Sequence, residues 1–109
     1  MSDRPARDDL LFLGREMAAP ELHSFAGGTA AVYTAPAPDR TTVNEDGVAL
    51  FPVDDDSGVI IVADGLGGTR GADQAVKAAI GAIHTRLALG AGNGADLRVS
   101  ILDGIEKAN

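Results

Sequence analysis

A run of five apolar residues, Val59 to Ala63, ends abruptly in Asp64-Gly65-Leu66-Gly67-Gly68 and gives way to a helical pattern. This transition constrains the fold more than any other stretch. A continuous β-branched run of this length predicts a buried central strand. The glycines after it predict a tight turn, and Ala72, Ala75, Val76, Ala79, Ile80, Ile83 and Leu87 recur at spacings of three and four. That spacing predicts one apolar helix face, with small alanines that let it lie close to a sheet.

Upstream, Gly47 to Phe51 reads as a strand ended by Pro52. Asp54-Asp55-Asp56-Ser57-Gly58 has the composition of a turn. Two strands joined by so short a turn predict an antiparallel hairpin, in which the start of the first lies beside the end of the second. Glu45 and Asp46 precede the first strand and Asp64 follows the second, so the three carboxylates are expected at one point. Such a group suits a hard divalent cation with oxygen ligands, and waters held by such a cation serve as nucleophiles for phosphoryl chemistry. The plainer readings are that Asp64 caps a helix or opens a surface turn, and that Glu45-Asp46 is a solvated acidic loop.

Other acidic and glycine features are discounted. Asp54-Asp55-Asp56 lies at the opposite hairpin end and lacks calcium-loop spacing. Gly65-Leu66-Gly67-Gly68-Thr69-Arg70-Gly71 misses the dinucleotide fingerprint by one residue, because Arg70 occupies the third glycine position, and it has no Walker lysine. The loop's N–H groups, with Thr69 and Arg70, offer at most a weak anion site. His23 and His84 have no candidate co-ligands near them in sequence, and no nucleophile elbow is present.

In the rest of the chain, residues 10–19 are expected to form one or two helical turns, and Thr29–Thr34 a strand. Pro36 and Pro38 impose an extended loop. Gly90–Gly94 is expected to be a loop, with Asp96 capping a second helix whose face is Leu97, Ile101, Leu102, Ile105 and Ala108. That pattern reaches Asn109 without a Gly or Pro stop, which predicts a piece of a longer protein. Residues 1–28 read as an N-terminal extension and 29–109 as the N-terminal part of a domain.

Composition narrows the function classes. The chain has 109 residues and a net charge of −7, so it lacks the basic patch that nucleic-acid binding requires. No cysteine is present, which removes thiolate metal sites and disulfides. Leu10–Leu13 is too short to span a bilayer and Asp8-Asp9 interrupts any signal pattern, so a cytoplasmic protein without membrane attachment is expected. The 45% apolar content is rich in alanine, a thin core for this length that predicts self-association or dependence on further protein.

The ordered pair Asn44-Glu45-Asp46 and Val62-Ala63-Asp64-Gly65-Leu66-Gly67-Gly68, followed by an alanine-rich helix, resembles the metal-dependent protein phosphatases of type 2C in their bacterial form. The likeness runs from about Thr29 to Asn109, and Gly104 to Asn109 resembles the family's second long helix. The resemblance implies an α+β fold, part of a layered β-sandwich of antiparallel sheets flanked by helices, here truncated. It implies a site for two Mn²⁺ or Mg²⁺ ions in which Asp64 bridges both, Glu45 binds one, Gly65 offers its carbonyl and Asp46 holds water. That water attacks phosphorus in line, without a covalent phospho-enzyme. Phosphoserine and phosphothreonine proteins are the implied substrates.

Two departures from the family pattern matter. The family's phosphate-gripping arginine falls at Thr41 here, with Arg40 one residue early. Its remaining metal-binding aspartates come from later in its domain, so residues 1–109 alone are expected to be inactive. The alternatives are a non-catalytic pseudophosphatase used as a binding or regulatory module, and a small α+β interaction domain whose acidic loops do no chemistry.

Overall fold

The computed structural model describes residues 9–36, 38, 44–65, 71–93 and 96–108. Arg40, Thr41 and the stretch Leu66–Arg70 lie outside the described residues. The fold is α+β. Five strands, β1 (Leu10–Leu13), β2 (Glu21–Phe25), β3 (Gly28–Val32), β4 (Gly47–Pro52) and β5 (Gly58–Ala63), precede two helices, α1 (Ala72–Asn93) and α2 (Leu97–Ala108). All strand pairings are antiparallel, in a sheet of order β1-β4-β5 and a β2-β3 hairpin.

The period-two alternation of β4 explains the layering. Ala49 and Phe51 face one way, meeting Val59 and the α1 stripe Val76, Ile80, Ile83 and Leu87. Val48 and Leu50 face the other way, where they pack with Phe12, Met17, Val32 and Phe25. The central sheet is therefore covered by helices on one side and by the β2-β3 hairpin on the other. At the hairpin's turn, Ala26 and Gly27 both have positive φ (51° and 82°), the two-residue geometry whose twist matches the flanking strands. Its Phe25 ring rests on Gly58, where an added Cβ would stand 2.4 Å from Phe25 Cζ.

The β4-β5 hairpin forms as expected, the stripe of α1 forms at Val76, Ile80, Ile83 and Leu87 while Ala75 of the expected face is exposed, and Asp96 caps α2 by accepting a bond from the Arg98 N–H at 2.7 Å. Four expectations are corrected. Of the helical turns expected over 10–19, Leu10–Leu13 is instead strand β1 and 14–19 is irregular, because the open edge of β4 supplies a backbone ladder and Gly14 turns the chain at positive φ. The run 59–63 is not central. β1 takes the far side of β4, leaving β5 at the edge with Ile60 59% and Val62 74% exposed. The expected loop over 90–94 is helical as far as Asn93, since the alanines around Gly90 sustain the helix. In α2 the buried positions include Ser100 and Gly104, while Leu102 and Ile105 are exposed. Gly104 shifts the contact line because α1 comes down onto it, as close as the Ile83 backbone.

The strand β2 had no anticipated counterpart. Its exposed positions are Leu22 and Ser24, and its half-buried ones are Glu21, His23 and Phe25. The apolar–polar alternation is thus inverted over most of its length. Expected sequence boundaries also meet observed elements: residue 29 falls inside β3, and residues before it supply β1 and β2.

Candidate functional site

The β4-β5 register sets the site. Gly47 pairs with Ala63, so Asp46 and Asp64, one residue beyond each, emerge side by side at the same end of the sheet. The Asp64 carboxyl and the Gly65 backbone N–H both act on the Asp46 carboxyl at this corner. Two carboxyls so placed need a shared proton or a cation between them. The Asp46 carboxyl is accordingly held above its ordinary value of 3.8, through burial first, then through the hydrogen bond and charge of Asp64, with the Glu45 charge adding. The Gly65 N–H opposes the shift by favouring the anion.

A buried asparagine holds this corner. Asn44 Nδ2 donates to the Arg15 carbonyl at 2.9 Å and to Thr34 Oγ1 at 2.7 Å, while Asn44 Oδ1 accepts from the Asp46 N–H at 3.1 Å. Asn44 and Thr34 are both buried. The side chain thus ties the segment entering β4 to the chain after β1 and after β3. Asparagine suits this role because it supplies donors and an acceptor on one short side chain. The sequence motif contained Asn44, but its clamping function was missed. The local signal was an Asx turn, in which the side chain bonds the backbone two residues on.

On the helix side the approach is close. A Cβ on Gly47 would stand 2.7 Å from Val76 Cγ1 and 2.8 Å from Leu13 Cδ2. A small cavity of about 40 Å³ is lined there by Asn44, Glu45, Asp46, Val76 and Lys77, room for about one water or ion. Lys77, an exposed residue of α1, lines this cavity beside Glu45 and Asp46, which sequence reasoning did not foresee. The Oε2 atom of Glu45 is buried at this corner.

The donor set is entirely oxygen, and a dication relieves the repulsion within the Asp46–Asp64 pair, so these residues fit part of a hard-cation site. Among the described residues no group of three or more His, Asp or Glu side chains is arranged to hold a metal ion. The expected convergence of three carboxylates is therefore realised for Asp46 and Asp64, with Glu45 acting on Asp46 through its charge.

Elsewhere, His84 stacks on Phe51, ring centroids 4.7 Å apart, and its Nε2 lies 2.7 Å from Asp9 Oδ2. His23 Nε2 lies 3.3 Å from Glu21 Oε1. Both histidines are engaged in local packing, remote from the carboxylate pair in the fold. Among the described residues no helix is long and apolar enough to cross a membrane. No protein-family model, curated protein or solved structure matches this chain.

Proposed function

We propose that this chain carries the N-terminal part of a type 2C-like, metal-dependent serine/threonine phosphatase that works in the cytoplasm. One observation carries the reading: the β4-β5 register brings Asp46 and Asp64 together at the mouth of the sheet, with the motif Asn44-Glu45-Asp46 leading into β4 and Asp64-Gly65 following β5. In this reading Glu45, Asp64 and the Gly65 carbonyl hold Mn²⁺ or Mg²⁺. Bound ions supply a polarised water for attack on a phosphomonoester. The chain's own residues do the rest. Asn44 fixes the segment, Asp46 orients water by accepting its hydrogen bonds, and Arg40 reaches for the substrate phosphate. The remaining ligands come from beyond this segment in the full-length enzyme, and the segment alone has little activity.

A second reading, a non-catalytic module of the same fold, is favoured by Thr41 at the family's arginine position and by the incomplete ligand set among the described residues. Hydrolysis of p-nitrophenyl phosphate by the full-length protein with Mn²⁺ separates the two. The enzyme reading expects turnover that Asp64→Asn abolishes; equal rates for the two proteins defeat it. For residues 1–109, calorimetry is expected to show Mn²⁺ binding no tighter than micromolar and weakened by Asp64→Asn. Binding that Asp64→Asn leaves unchanged places the cation elsewhere.

A further inference from the structure

We draw no further inference here: the strongest candidate, the edge of β5 that is open among the described residues, with the apolar side chains of Ile60 and Val62 exposed beside it, carries nothing because nothing in the structure shows what covers it.

Discussion

Replacing Gly104 with alanine should destabilise the protein although alanine is the better helix former. Gly104 lies within α2, where the exchange alone would favour folding by about 1 kcal/mol. At this position, however, the new Cβ would stand 2.6 Å from Ile83 Cα, 3.0 Å from its Cγ1 and 3.2 Å from its Cβ. Carbon atoms pack at about 3.5 Å or more, so α2 must retreat from α1 by about 1 Å. The closest atom belongs to backbone, so no rotamer change can absorb the overlap. Overpacking of this kind costs about 1–3 kcal/mol, and the rigid partner puts Gly104 at the upper end. The net expectation is a loss of about 1–2 kcal/mol, or roughly 1 M in urea midpoint for a chain of this size. Gly81→Ala is the internal control. It lies in α1 with nothing within 4 Å of an added Cβ, so it should stabilise by about 0.5–1 kcal/mol. Urea denaturation followed by circular dichroism at the helix band measures both. A Gly104→Ala midpoint at or above that of Gly81→Ala would refute the close approach of the helices.

Two further outcomes follow from the site. The raised Asp46 carboxyl makes the folded state bind protons more tightly than the unfolded chain, so its contribution is fully present below the ordinary aspartate value of 3.8 and is lost as pH rises through the folded value; in metal-free buffer, thermal melts from about pH 4 to about pH 8 should show that Asp46→Asn removes a component of stability falling with pH, and identical profiles for the two proteins would contradict it. Asn44→Ala strips two donors and an acceptor from a buried position, so a loss of about 2–4 kcal/mol is expected in denaturant titration, and a loss below about 1 kcal/mol would show that the clamp contributes little.

The parts of this fold that were legible in the sequence are those in which one local pattern carried the whole decision. Asp54 to Gly58 between two apolar runs sufficed for the β4-β5 hairpin, and with it for the meeting of Asp46 and Asp64. The Val76, Ile80, Ile83 and Leu87 stripe sufficed for α1. What escaped was decided by partners distant in sequence. Leu10–Leu13 has helix-forming residues, yet the free edge of β4 captures it as β1. The β2 strand exposes Leu22 and half-buries Glu21 and His23, so no alternation announced it. The edge position of β5 could not be read from Val59–Ala63, because a continuous apolar run looks the same whether one face is covered or two. At the site, residue types pointed to the carboxylates, whereas the clamp by Asn44 depends on Thr34 and Arg15, which only the folded chain brings near.

The missing side chain at Gly47 ties architecture to chemistry. With only hydrogen there, Val76 and Ile80 of α1 and Leu13 of β1 close over the backbone that leads directly into Asp46. Any larger residue would act as a wedge, lifting helix from strand and swinging the acidic corner outward in the same movement. Helix docking and carboxylate placement therefore meet at one residue of this protein, through the side chains of Val76, Ile80 and Leu13 packed around Gly47.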